Sequence, residues 1–109
     1  MAPTANSPVS PNECDDIFQT LSHEVRRETI RAFETNSLLQ TTTVESLATE
    51  LESRIAHPNR RQIRLELVHN HLPKLESRKW LEYDQRAGDV VYKGHPRALP
   101  VLEHISAIF

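Results

Sequence analysis

Apolar residues recur at helical spacing from the first acidic residues of the chain to about residue 36. The stripe is interrupted near Ser22, so the pattern predicts a first helix that is broken into two pieces. The first covers residues 13–20 with Asn12 as its N-cap, and the second covers residues 23–36 with Ser22 as its N-cap. The apolar positions of the two helices are Ile17, Leu21, Val25, Ile30 and Phe33.

The next helix carries a sequence signal at its start. Thr42-Thr43-Val44-Glu45 has the form of a capping box, and apolar residues follow at positions 44, 47, 48, 51 and 55. The threonines at positions 41–43 are typical of a strand, and we expect them to form a short β-bridge to a ribbon further along the chain.

The third helical pattern is the longest and runs from about Asn59 to Lys79. We expect Pro73 to kink or restart this helix, because proline lacks the backbone donor and clashes with the preceding turn. Its predicted apolar stripe is Leu65, Val68, Leu72 and Leu75, with Ile63 and Leu67 beside it. A two-stranded ribbon is predicted next, at residues 80–84 and 90–93, with a turn around Gly88.

A last amphipathic helix is predicted to begin at Pro96, with His95 as a possible cap. Its apolar face would be exposed in a monomer, so we expect a homodimer in which a partner helix covers it. The predicted dimer interface consists of Ile17, Leu99, Leu102, Ile105, Ile108 and Phe109.

The predicted order is helix, helix, helix, strand, strand, helix. This order defines a mainly α protein with a small β-ribbon (α+β), and a basic helix followed by a hairpin is typical of a winged helix-turn-helix. We divide the chain into a disordered tail at 1–13, a winged helix-turn-helix domain at 14–94 and a dimerisation helix at 95–109.

Composition excludes several other classes. The 109 residues have a mean hydropathy of −0.53 and no apolar run near the ~20 residues that span a bilayer. We expect no signal peptide, and the single cysteine, Cys14, excludes an internal disulfide and suits the cytoplasm. Two glycines leave no phosphate loop or dinucleotide-binding motif. The net charge is −2, yet residues 59–79 contain six Lys or Arg and two Glu, which concentrates positive charge on one helix.

Four segments resemble the ArsR-like winged helix-turn-helix regulators, and more closely the small winged-helix domains of unknown function of halophilic archaea. The segments cover about residues 15–93 and are Ile17–Arg27, Val44–Leu51 around Leu47-Ala48, His71-Leu72-Pro73-Lys74-Leu75, and Leu81-Glu82-Tyr83 leading to Val91-Tyr92. Two departures stand out. The spacing from Leu47 to His71 is long, and Arg78-Lys79 replaces the usual glycine at the end of the recognition helix.

The resemblance implies that the third helix enters the major groove and that the ribbon contacts the DNA backbone or minor groove. The base-facing residues would be Arg64, Glu66, His69 and Asn70. The phosphate-contacting residues would be Arg60, Arg61, Lys74 and Arg78, with Arg86 and Lys93 as ribbon contacts. The same charges are also compatible with an ordinary solvated helix face.

Metal and enzyme functions have little support in the sequence. His69 and His71 are two residues apart and point to different faces of a regular helix, so we predict no metal site. No spacing typical of nucleophilic or acid–base catalysis is present, and we predict no enzyme activity and no cofactor. Cys14 at a helix start is either a redox switch or a spectator thiol.

These observations predict a cytoplasmic, sequence-specific transcriptional regulator that binds double-stranded DNA as a homodimer. No membrane or small-molecule partner is indicated. The alternative is a winged-helix protein–protein interaction module without DNA binding, whose acidic first helix would suit a basic partner.

Overall fold

The computed structural model describes residues 11–36, 40–56 and 59–108, and the predicted disordered tail at 1–13 lies mostly outside these ranges. The described part is an α+β structure of helices and one three-stranded antiparallel sheet with strand order β1-β3-β2. Its elements are α1 (Pro11–Thr20), α2 (Glu24–Thr35), β1 (Thr41–Thr43), α3 (Val44–Glu52), α4 (Arg60–Glu66), a π-helical turn (Leu67–His71), α5 (Leu72–Ser77), β2 (Leu81–Asp84), β3 (Asp89–Tyr92) and α6 (Ala98–Ile108).

The break between α1 and α2 is confirmed, but both predicted caps are wrong. Asn12 lies inside α1, which begins one residue earlier. His23 is the N-cap of α2, and its Nδ1 accepts a hydrogen bond from the Val25 N–H at 3.1 Å. Ser22 instead donates its hydroxyl to the Gln19 carbonyl, so its side chain serves the end of α1.

The helix α3 is capped by Thr43, whose Oγ1 accepts from the Ser46 N–H at 3.2 Å. The predicted capping box is therefore displaced by one residue, and Glu45 is released to pair with Arg64. The predicted bridge is confirmed, because Thr41–Thr43 pairs antiparallel with β3. Ile55 lies beyond the end of α3 and is only partly buried.

α4, the π-helical turn and α5 follow one another without interruption, and residues 60–77 are called the basic helix below. Asn59 caps it, as its Oδ1 accepts from the Gln62 N–H. The π-helical turn ends two residues before Pro73, the residue at which a kink or restart is predicted. A wider turn relieves the clash between a proline ring and the carbonyl of the preceding turn.

The π-helical turn also moves the buried face of the basic helix. The predicted apolar stripe assumed a regular α-helix. Its first member, Leu65, is wrong because it is 39% exposed, and its second member, Val68, is only half-buried. The buried members are Ile63, Leu67, His71, Leu72 and Leu75. The step from Leu67 to Leu72 is five residues, which returns a side chain to the same face in a π-helical turn.

A Schellman motif ends the basic helix and places the chain in the hairpin. The Trp80 N–H bonds to the Leu75 carbonyl, and the Lys79 N–H bonds to the Glu76 carbonyl. Lys79 has a φ of 67°, so a lysine holds the left-handed position that glycine normally takes. The hairpin of β2 and β3 then turns at Gly88, which has a φ of 76°.

The core is one cluster that includes the terminal helix. Trp80, Phe33 and Leu102 are among the largest side chains with almost no exposure. α6 packs against α2, beginning two residues later than predicted, after His95 Nδ1 accepts from the Arg97 N–H. Ile17 is 2% exposed and Leu102 is fully buried, so both side chains pack in the core of one chain. The dimer interface to which they were assigned stays a prediction.

Candidate nucleic-acid interface

Three cations of the basic helix are exposed and make no ion pair within the described residues. Arg60 and Arg61 lie in the first turn of α4, and Lys74 lies in α5. The first turn of α4 has no acidic residue, and the Asn59 side chain satisfies one of its backbone donors, the Gln62 N–H. These side chains extend into solvent, where a phosphate is able to approach them.

Two further predicted contact residues of the interface are engaged with carboxylates. Arg64 donates from Nε to Glu45 Oε1, which ties the basic helix to the start of α3. Lys93 Nζ lies 2.8 Å from Glu82 Oε1 across the hairpin. Both pairs are largely exposed, so each is weak and open to exchange with another anion.

Arg78 has a structural role. Its Nη1 donates to Asp16 Oδ1 at 2.6 Å, to the Asp16 carbonyl at 3.1 Å and to Thr20 Oγ1 at 3.0 Å. Its Nη2 reaches Gln19 Oε1 at 3.2 Å. The guanidinium therefore fastens the end of the basic helix to the last turns of α1, and we withdraw Arg78 from the phosphate-contacting residues.

Arg26 satisfies the carboxyl end of α1 from inside the core. It is 5% exposed, and its Nε and Nη2 donate to the carbonyls of Thr20 and Gln19 at 2.7 Å and 3.2 Å. Its Nη1 lies 3.1 Å from Nδ1 of His71 in the π-helical turn. The sequence gives no signal for a buried arginine, because Arg26 and Arg27 are indistinguishable in the pattern.

Glu66 faces a pair of histidines. Its Oε2 accepts from Gln62 Nε2 at 3.2 Å, and its Oε1 lies 3.7 Å from His71 Nε2. The rings of His23 and His71 are 4.4 Å apart. Glu66 is thus turned towards the histidines while its side chain stays 36% exposed, and its base-facing role stays a prediction.

His23, Glu66 and His71 bring three potential metal-ligand atoms within 4.8 Å of one another. Sequence spacing missed this cluster, because His23 comes from α2. Arg26 is only a donor, so Nδ1 of His71 accepts and its proton is on Nε2, which is buried without a hydrogen-bond partner. Nδ1 of His23 likewise accepts, from Val25. Histidine ligands normally donate from the nitrogen that does not bind the metal, so these residues do not fit a metal ion.

Burial controls the titration of these histidines. Burial, assisted by His23 and Arg26 and opposed by Glu66, lowers the pKa of His71 to about 4. Burial also lowers the pKa of His23, with a further contribution from Arg26. His71 is therefore neutral near pH 7.

The middle of the basic helix presents three exposed side chains that are neither Lys, Arg nor acidic. His69 and Asn70 lie in the π-helical turn, as candidates for base contact, and Leu65 precedes them in α4. Leu65 was assigned to the core by its periodicity, so sequence analysis missed it as a surface residue. An exposed leucine at this position becomes recognisable only once the π-helical turn is known.

The hairpin is acidic except at its turn. Glu82, Asp84 and Asp89 are exposed on its strands, and Lys93 is compensated by Glu82. Arg86 lies in the turn, where Asp84 Oδ1 accepts from its backbone N–H and leaves the guanidinium free of ion pairs among the described residues. Contact with a phosphate backbone would therefore be confined to the turn.

α1 and α6 border an open cavity of about 400 Å³. Phe18 is 48% exposed at this cavity, which Cys14, Pro100 and Val101 also line. Leu99 and Ile105 of the predicted interface are partly buried in α6, whereas the side chain of Ile108 and all of Phe109 lie outside the described residues. The apolar surface of the terminal helices is therefore centred on Phe18 and Val101 rather than on Ile17 and Leu102.

The domain is thus an α+β unit with a basic helix beside a short hairpin. The sequence model of one protein family matches residues 18–91, more than half of the chain, and the chain belongs to this family, DUF7344, a domain of unknown function. No curated protein and no solved structure matches the chain. No helix among the described residues is both long and apolar enough to cross a lipid bilayer.

Proposed function

We propose that this protein is a winged helix-turn-helix transcriptional regulator that binds duplex DNA as a homodimer. α3 and the basic helix would form the helix-turn-helix, and the hairpin of β2 and β3 would form the wing. The observation that carries the proposal is the set of three exposed cations, Arg60, Arg61 and Lys74, on one helix of a chain with net charge −2.

In this docking the basic helix lies in the major groove and Arg86 contacts the backbone from the wing. Because Arg78 serves α1 and Arg64 pairs with Glu45, each protomer offers about four cations to phosphates. Affinity then falls steeply with salt, with a slope of about −0.9 for each phosphate neutralised, or roughly −7 for a dimer that uses all of them.

The groove between α1 and α6 supports the homodimer. An exposed aromatic ring beside an apolar cavity suits an isologous interface, in which each copy places Phe18 near the cavity of the other. Two copies would then present two basic helices to successive turns of the same face of a DNA duplex.

The test is binding of the purified chain to random-sequence duplex DNA over a salt series. The variant Arg60→Ala/Arg61→Ala should lose most of its affinity for DNA. The slope of log affinity against log salt should fall by about 2 for each protomer, or about 4 for the dimer. The control Arg31→Ala/Arg54→Ala has the same change in charge, on residues that pair with Glu28 and Glu50, and should bind as the wild type does. Equal binding by both variants, or no binding at low salt, would contradict the proposal.

The acidic strands of the hairpin favour a second candidate, a protein-interaction module for a basic partner. A surface groove there is lined by Glu76, Glu82, Asp84 and Asp89. Under this candidate the folded chain binds no DNA at low salt. A partner recovered by pull-down would then be released by Glu82→Lys/Asp84→Lys and retained by the Arg60→Ala/Arg61→Ala variant.

A further inference from the structure

The exposed side chains of the basic helix differ in kind between its ends and its middle. Arg61 lies near one end and Lys74 near the other, and Leu65, His69 and Asn70 lie between them. Steps of four residues in α4 and four or five through the π-helical turn keep these positions near one face. The fourteen residues from Arg61 to Lys74 span about 20 Å, which exceeds the ~12 Å width of the major groove.

This length separates two kinds of contact. A helix centred in the groove has its terminal cations near the phosphates on either side, and its central side chains face base edges. The central side chains here are an aliphatic group, an imidazole and a carboxamide, and none is a Lys or Arg.

The charged neighbours of this central row are engaged elsewhere. Arg64, the cation closest to Leu65, pairs with Glu45. Glu66 accepts from Gln62 and faces His71 on the inner side. Arginine is the usual reader of guanine and a carboxylate is the usual reader of the cytosine amine. Arg64 and Glu66 must each give up a contact within the chain before they meet a base, whereas the side chains of the central row need not.

From this arrangement we infer that the basic helix reads A·T base pairs at the centre of each half-site, with Asn70 bonded to adenine and Leu65 packed on the thymine methyl group. The inference rests on the proposed DNA binding and adds to it the class of sequence that is recognised. Asn pairs with adenine N6 and N7 through two hydrogen bonds, and an aliphatic side chain buries the C5 methyl group of thymine. This contact would explain why an apolar residue, Leu65, is exposed on a helix whose other exposed residues are polar.

The experiment is a competition between duplexes of equal length in which the central base pairs are A·T, G·C, or A·U with uracil in place of thymine. The wild type should prefer A·T over G·C by about 5- to 100-fold, the range expected for one bidentate contact. Replacement of thymine by uracil removes only the methyl group and should weaken wild-type binding several-fold.

Two variants assign the contacts. Asn70→Ala should lose most of the A·T preference while its salt slope stays that of the wild type, because no phosphate contact is removed. Leu65→Ala should bind the thymine and uracil duplexes equally. Arg54→Ala, a change two residues after the end of α3, should behave as the wild type in every arm.

The outcomes separate this inference from the proposal on which it rests. Salt-dependent binding with equal affinity for A·T and G·C centres would overturn the inference and leave the DNA-binding proposal intact. A preference for A·T that survives both Asn70→Ala and Leu65→Ala would also overturn it, because groove shape would then be the origin. Absence of binding to every duplex would overturn both.

Discussion

Arg26 and His71 meet in the core at 3.1 Å, and the contact joins the carboxyl end of α1 to the π-helical turn of the basic helix. The arginine is 45 residues away from the histidine in sequence. Because the guanidinium can only donate, it fixes His71 as the tautomer that accepts at Nδ1. The position of the candidate interface therefore depends on a neutral histidine.

Acidification should destabilise the protein through His71. Its pKa is about 4 in the folded state, against an ordinary value of 6.5, so the unfolded state binds more protons between these values. The contribution of neutral His71 to the free energy of unfolding is complete above pH 6.5 and decreases as the pH falls towards 4. At about 1.4 kcal/mol for each pH unit, the loss amounts to roughly 3 kcal/mol.

Chemical denaturation between pH 7 and 4 measures this effect. His71→Asn offers Oδ1 to Arg26 in place of Nδ1 and should remove most of the pH dependence. His69→Asn, at an exposed position two residues away, should retain it. An unchanged pH dependence in His71→Asn would assign the titration to another group.

Sequence periodicity was sufficient for the elements that obey one period throughout. α3 and the hairpin follow from regular apolar spacing, and the strand at Thr41–Thr43 from its β-branched residues. Periodicity failed in the basic helix, because the π-helical turn adds a step of five residues. As a result Ile63 lies on the buried face, where Leu65 was predicted. The proline at position 73 indicated an irregularity but did not fix how the face would shift.

Apolar and charge patterns in the sequence could not predict contacts between side chains that are distant along the chain. Arg78 and Arg26 both bind α1, yet Arg78 was predicted to contact DNA and no role was predicted for Arg26. A cation pattern shows where arginines lie along a helix, whereas the packing of α1 decides which of them remain free. The same limit applies to His23, which reaches His71 only after α2 is in place.

Replacement of Lys79 by glycine should stabilise the fold. Lys79 has a φ of 67° at the C′ position of a Schellman motif, where a side chain costs about 1 kcal/mol in the left-handed region. We expect Lys79→Gly to gain up to about 0.5 kcal/mol after the greater entropy of glycine in the unfolded chain is included. Thermal and urea denaturation give the value.

The control for Lys79→Gly is the same substitution inside a helix. Lys74→Gly in α5 should lose about 1 kcal/mol, because glycine is a poor helix former. Destabilisation by both substitutions would indicate that the lysine side chain contributes packing or charge that outweighs the backbone strain.

A charge at Phe18 should separate the proposed dimer. Phe18 is half-exposed at the cavity between α1 and α6, so Phe18→Glu removes apolar surface from the interface with little cost to the core. Sedimentation should shift from dimer to monomer, while circular dichroism stays unchanged. Gln19→Glu, at the next exposed position of α1, adds the same charge and should remain dimeric.

Arg61 and Arg78 should separate DNA binding from stability. Arg61 is exposed without an ion pair among the described residues, so Arg61→Ala should leave the free energy of unfolding within about 0.5 kcal/mol and reduce the salt slope by about 1 per protomer. Arg78→Ala breaks the bonds to Asp16, Thr20 and Gln19 and should cost about 1–3 kcal/mol of stability. Its salt slope, measured below the unfolding transition, should equal that of the wild type. A reduced slope in Arg78→Ala would return this residue to the phosphate-contacting set, because a guanidinium that only fastened α1 would leave the number of released counterions unchanged.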